Sequence, residues 1–350
     1  MARTPTHRYV DPLAEVWLGA AARIGLRVER SPHAYASTDG AGTMVIGSPE
    51  TLDADDSLAQ MIFHELCHSL VQGEASFATS DWGLDNISDD DSWREHATLR
   101  LQRVLARRYG LDSFFAPTTE YRAFWDALPA DPLADRGDGS VIHAIAGLRR
   151  AARPPWAPAL DDALAATAVI VAAASTWSEA TSLAHAYHVP PPHPTGLPMS
   201  PVAGRTCAGC AWRVAGAGEK KPRCRQADLA IDDTWPGCER WEAALDCQTC
   251  GACCREAYGA VVVSARDLVR TKRPDYVVDR GAGGAHRYEL RREGERCAGL
   301  HGGDVSRDGA RRLIGRYQCV IYDDRPRTCR DFTLGSAHCL TARRRVGLSL

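Results

Sequence analysis

The chain has 350 residues, of which 45% are apolar and 25% charged, with a formal net charge of -2. That length allows two domains, each able to bury its own core, and the composition excludes a chain disordered throughout. The near-balanced charge gives no electrostatic reason to expect nucleic acid or an anionic membrane as partner.

From Tyr9 to Gly25 the apolar residues Val10, Leu13, Val16, Trp17, Ala20, Ala21 and Ile24 recur at helical spacing, which predicts a first helix stopped by Gly25. Arg3, His7, Arg8, Asp11 and Glu15 interrupt the apolar stretch after Met1, so no secretory segment is expected and a cytoplasmic location follows. Three β-like pieces, at Leu26 to Glu29, Ala34 to Ser37 and Thr43 to Ile46, predict a small, mostly antiparallel sheet. Asp53, Asp55 and Asp56 are then expected to load the start of a second helix running to Gly73, where negative charge suits the positive end of the helix dipole. An acidic loop from Glu74 to Asp91 leads to a third helix, Ser92 to Tyr109, ended by Gly110.

Residues 121–174 read as mainly helical with proline interruptions. The stretch Ala163 to Ser175 has about half of the ~20 residues that cross a bilayer, so it reads as a packed helix and no membrane span is expected. Pro190, Pro191, Pro192, Pro194 and Pro198 make residues 188–204 a stiff linker between a first domain, 1–187, and a second, 205–350. His185, His188 and His193 around it read as exposed, and the Arg343-Arg344-Arg345 run reads as a solvated tail.

The second helix carries His64-Glu65-Leu66-Cys67-His68. Residues four apart on a helix lie about 40° apart around its axis, so His64 and His68 can share one metal ion. Glu65 lies beside them, where a carboxylate can take a proton from a water that the metal acidifies. Cys67, on the same helix, reads as a small buried apolar residue.

With Leu58, Met61, Ile62, Leu66 and Leu70 flanking the motif, a small sheet before it and acidic residues after it, residues 9–110 resemble the zincin metallopeptidases. The resemblance implies an α+β domain of small sheet plus helices with a helical extension, a catalytic Zn2+ and a peptide or protein substrate. It also implies a third protein ligand, because two histidines leave a catalytic zinc short. A metzincin would have glycine at position 71 and histidine at 74, whereas this chain has Val71 and Glu74. Glu74, Asp81 and Asp85 remain open, and Glu95 is preferred because zincins with a glutamate ligand take it from the helix after the motif. His96 is then a group behind the ligands, a transition-state donor or simply an exposed helix residue, and Tyr121 an oxyanion donor or a core aromatic.

Twelve of the thirteen cysteines fall between Cys207 and Cys339, a density that points to metal ligation. The first group, Cys207, Cys210, Cys224 and Cys238, can close one tetrahedral site. The second reads Cys247, Cys250, Cys253, Cys254, Cys297, Cys319, Cys329 and Cys339, and with Arg325-Pro326 before Cys329-Arg330 it resembles the CxxCxxCC family of zinc- or iron-chelating cysteine clusters. The relation touches the cysteine cluster of flagellin lysine methylases, which implies an iron–sulfur cluster as the alternative to Zn2+. Adjacent Cys253 and Cys254 cannot easily ligate one metal, which favours two neighbouring sites. The second domain is thus expected to be a small-core, metal-stabilised one.

The leading expectation is an intracellular zinc metallopeptidase whose second half carries zinc or iron–sulfur. The alternative makes that half the working part, an iron–sulfur or metal-handling module or a protein-modification accessory factor, with the first half a non-catalytic binding domain.

Overall fold

The computed structural model describes residues 6–85, 91–119, 121–135, 137–187, 193–200, 202–216, 221–281, 286–303, 305–308 and 311–349. The chain divides into two compact units: Met1–Asp135 with Ser140–Pro190 and Gly309–Arg311, and Arg136–Gly139 with Pro191–Asp308 and Arg312–Leu350. Both mix helices with short sheets, so the chain is α+β. Of the expected linker, residues 188–192 and 201, and with them His188, lie outside the described residues.

In the first unit, α1 (Pro12–Ile24) starts behind Asp11, whose carboxylate accepts the backbone N–H groups of Leu13 and Ala14 at 3.0 and 3.1 Å. This cap leaves Tyr9 and Val10 outside the helix and exposed. The chain leaves α1 at Gly25 with φ 101°, a left-handed turn open to glycine. The sheet then forms from β1 (Arg27–Ser31), β2 (Ala36–Thr38) and β3 (Thr43–Gly47) in the order β1-β3-β2.

The sheet is mixed rather than mostly antiparallel. Asp39 accepts the N–H groups of Ala41 and Thr43 at 2.7 and 2.9 Å, which closes a tight turn and sets β2 antiparallel to β3. The free edge of β3 is taken by β1, which runs parallel to it. Met44 and Ile46 alternate from β3 into the core, both fully buried.

The motif helix α2 spans Leu58–Gln72 and is capped by the Ser57 hydroxyl, which accepts the Gln60 N–H at 3.2 Å. The expected acidic start is corrected: the first turn holds no acid, and Asp53, Asp55 and Asp56 precede the cap. Asp56 is used instead as an acceptor for the Tyr35 and Thr118 hydroxyls, tying the sheet and a later loop to the helix entrance. At the other end, Arg150 donates to the Leu70 and Val71 carbonyls at 2.6 and 2.9 Å, where a cation suits the negative end of the dipole.

Helix α3 (Ser92–Arg107) packs along α2. Away from α2, Arg100, Arg103 and Arg107 donate to the carbonyls of Pro132, Trp125 and Ala130, pinning the segment that holds α4 (Arg122–Asp126). α5 (Gly139–Ala151) and α6 (Ala159–Ser175) complete the unit. The α2 residue Phe63 lies at the centre of the core, its ring 5.2 Å from Trp17 and 4.7 Å from Phe115. The Trp17 indole donates to Thr167 on α6, so the alanine-rich stretch is a packed helix. No helix among the described residues is long and apolar enough to cross a membrane.

The second unit has strands of two to four residues and, among the described residues, several small apolar clusters. Two expectations are corrected there. The arginine run is not a solvated tail: it ends the helix Ala337–Arg345, where Arg343 is buried and pairs with Glu242 at 2.5 Å. Arg344 donates to the Gln226 carbonyl and Arg345 to that of Ala257, so the run staples three segments together. His193 is not exposed either. It is 2% exposed, because its Nε2 meets the Pro236 carbonyl at 2.8 Å and the Cys207 sulfur lies 3.9 Å away.

Candidate metal centre

The centre forms between α2 and α3. His64 and His68, one turn apart on α2, bring their Nε2 atoms to 3.0 Å. From α3, Glu95 sets its two carboxylate oxygens 3.4 Å from His64 Nε2 and 3.1 Å from His68 Nε2. Two nitrogens held ~2.0 Å from one tetrahedral zinc stand about 3.3 Å apart, so the observed spacing needs little adjustment to hold an ion. Among the described residues this is the one group of three or more His, Cys, Asp or Glu side chains with all ligand atoms within 4.8 Å of one another.

The second nitrogen of each imidazole decides whether the first can bind metal. His64 Nδ1 lies 2.8 Å from Gln102 Oε1, and the Gln102 amide N–H donates to the Phe115 carbonyl at 2.6 Å. With its N–H so engaged, Gln102 presents oxygen to His64, which places the ring proton on Nδ1 and the lone pair on Nε2. His68 Nδ1 lies 3.1 Å from the Thr98 hydroxyl, which can accept in the same way. Two lone pairs and a carboxylate then face one another in a largely buried place, an arrangement that calls for a cation or a proton between them.

Charge follows the same logic. Burial pushes the Glu95 carboxyl upward, but the charges of His68 and His64, a hydrogen bond from His68 and the charge of His96 outweigh it and hold it at about 2. Burial opposes protonation of His68, and Glu95 and Glu65 overcome it, so its pKa lies above the ordinary value.

Glu65 is 7% exposed, and its Oε2 accepts the Trp82 indole N–H at 2.7 Å. Trp82 adopts φ 57° and Asp81 φ 50°, left-handed conformations that cost such residues on the order of 1–3 kcal/mol. The strain is held by Asp81 accepting the Thr38 N–H at 3.0 Å and by Phe77 packed edge-on against Trp82. Asp81 is therefore used in the sheet contact, Asp85 and Glu74 are exposed, and the geometry brings Glu95 to the histidines. His96 stacks on Phe124, rings 3.9 Å apart, with Tyr121 edge-on at 6.3 Å. Cys67 is fully buried, and burial, then Glu95 and Glu65, push its thiol far up.

Thr98, Gln102 and Trp82 also belong to the site, and the sequence alone does not mark them as parts of it. Glu95, Thr98 and Gln102 follow an i, i+3, i+7 spacing on α3, the stripe that faces α2, and this was the signal available for two of them.

None of the thirteen cysteines is in a disulfide. Burial, then the neighbouring thiols, push Cys207 and Cys238 to about 11; Cys210 and Cys224 are neighbours of both. Cys253 is pushed to about 12 by burial and by Cys250, Cys339 and Cys247. Cys329 is pushed to about 12 by burial and by Cys297 and Cys319, and the same two, with Cys329 and Cys253, act on Cys254.

No family model, no curated protein and no solved structure matches the chain.

Proposed function

We propose that the first unit is a metal-dependent hydrolase of the glutamate-zincin type, acting on a peptide or protein. The observation that carries this reading is the convergence of His64 Nε2, His68 Nε2 and the Glu95 carboxylate, with Glu65 beside them on α2. Bound Zn2+ would supply Lewis acidity and lower the pKa of a water at the site. His64, His68 and Glu95 would hold the ion, and Gln102 and Thr98 keep the imidazoles in the ligating tautomer. Glu65 takes the proton of the attacking water and delivers it to the departing amine, while the Trp82 indole fixes the carboxylate. Tyr121 and His96 are assigned to the substrate side, as donors to the developing oxyanion. The second unit carries Zn2+ or iron–sulfur on its cysteines.

A Glu65→Gln variant tests this. It should keep its metal and lose peptide hydrolysis by about 10²–10⁴-fold, the usual reach of a general base. Retained hydrolysis would remove Glu65 from the mechanism.

One observation favours a second reading. Glu65 is buried with one oxygen engaged by Trp82, an arrangement that suits a structural carboxylate. Two histidines and a carboxylate are also the donor set of mononuclear non-haem iron oxygenases. Anaerobic purification with metal analysis separates the readings, since iron at this site and oxygen uptake would replace zinc and hydrolysis.

A further inference from the structure

We infer that the twelve cysteines of the second unit form three separate four-thiolate metal sites, Cys207/Cys210/Cys224/Cys238, Cys247/Cys250/Cys253/Cys339 and Cys254/Cys297/Cys319/Cys329. The inference deepens the reading of this unit as metal-binding and is independent of any hydrolytic activity in the first.

The partition rests on packing. In the first set, the turn Cys207–Gly209 is bridged to the Cys238 segment through Thr206 and Pro236, and the Cys207 sulfur lies 3.8 Å from the Pro236 carbonyl. The strand Arg213–Val214 that follows Cys210 pairs Arg213 with Cys224, and Cys207 and Cys224 share one apolar cluster with Ile231. Two turns and a hairpin thus bring the chain segments of these four cysteines together.

The other two sets part at the Cys253-Cys254 bond. The short helix Cys247–Cys250 ends at Gly251, φ 59°, where a side chain would strike the Tyr317 ring at 2.8 Å. Beyond this turn Cys253, with Cys250, packs against Ala252, Ala257, Ala342 and Val346, the last two belonging to the segment that carries Cys339. Cys254 packs the other way, into the cluster of Val263, Val269, Leu290, Tyr317 and Ile321 that holds Cys297, Cys319 and Cys329. The Cys297 N–H donates to the Cys254 carbonyl at 2.8 Å, and Cys319 pairs with Leu300 three residues beyond Cys297. Neighbours in sequence therefore belong to different centres.

The ligand atoms of these sets stand less close than those of the His64 group. Binding a thiophilic ion would displace the thiol protons to solvent and draw the sulfurs in. Each set offers thiolates alone, a donor set that suits tetrahedral Zn2+ or an iron–sulfur cluster.

The test is metal and acid-labile sulfide analysis of the anaerobically purified full chain in a His64→Ala background, which removes the first unit's ion from the count. Cys253→Ser and Cys254→Ser should each lower the thiolate-bound metal by about one third, and the double variant by about two thirds. Cys254→Ser with Cys329→Ser should lose no more than either alone. A Cys253/Cys254 double variant that loses no more than one single overturns the partition, as does a Cys254/Cys329 pair with additive losses. A parent chain without thiolate-bound metal overturns the reading beneath it. Should the variants not accumulate, stepwise chelation of the parent with alkylation and peptide mapping should label the cysteines in the three named sets. Labelling that crosses the sets contradicts the proposal. Visible absorption bleached by reductant identifies iron–sulfur, and colourless metal-bound protein identifies zinc.

Discussion

Gln102 on α3 accepts from His64 Nδ1 at 2.8 Å while its own amide donates to the Phe115 carbonyl at 2.6 Å. This pair of bonds fixes the tautomer of the first histidine. Gln102→Leu should weaken metal binding by about 10–100-fold, and Gln102→Glu, which keeps the acceptor for His64 but loses the donor to Phe115, should fall between it and the parent. Competition with a chromophoric chelator reads both. Equal affinity for Gln102→Leu and the parent would contradict the role.

Trp82 joins a strained loop to the Glu65 carboxylate. Trp82→Phe keeps the ring packing on Phe77 and removes the donor, so a buried carboxylate loses its partner. A loss of about 1–3 kcal/mol in urea unfolding is expected, with metal content unchanged. Lost metal with unchanged stability would instead place Trp82 at the ion.

The metal-free site should respond to pH from both sides. Glu95 has its pKa depressed to about 2, so its contribution is present above the ordinary 4.5 and is lost as pH falls toward 2. His68 has its pKa raised, so its contribution is present below the ordinary 6.5 and is lost as pH rises through the raised value. In chelated protein, thermal unfolding should show this stabilisation in full between 4.5 and 6.5, and Glu95→Gln should flatten the profile. A profile unchanged by Glu95→Gln would contradict the pairing.

Arg343 is buried against Glu242 and the Trp212 ring, so it should matter more than its neighbour Arg345. Arg343→Ala leaves Glu242 without a counter-charge, with only the Trp212 indole N–H as donor, and is expected to cost about 3–5 kcal/mol, against about 1 kcal/mol or less for Arg345→Ala. Denaturant unfolding of metal-loaded protein compares the two. Similar losses would return the run to the status of a surface tail.

Much of the first unit was legible in the sequence because its signals are local. Helical spacing outlines α1, α2 and α3, the His64 and His68 interval fixes one helix face, and Glu95 stands on the next long helix. The parts that escaped depend on contacts distant in sequence. Asp56 looked like a helix-start acid and is an acceptor for Tyr35 and Thr118, and the parallel β1–β3 pairing is decided by which edge of β3 the Asp39 turn leaves free. His193 and Arg343 looked solvated because their partners, Pro236 and Glu242, lie 43 and 101 residues away. Trp82 gave no periodic signal at all, since its position comes from left-handed backbone in a short loop.

The central claim is that His64, His68 and Glu95 bind one metal ion, and anomalous X-ray diffraction at the absorption edge of the resident metal tests it most directly. The expected result is a peak bounded by the two Nε2 atoms and the Glu95 carboxylate. A peak held by Asp81, Asp85 or Glu74 in place of Glu95, or no peak between α2 and α3 in fully loaded protein, would contradict it.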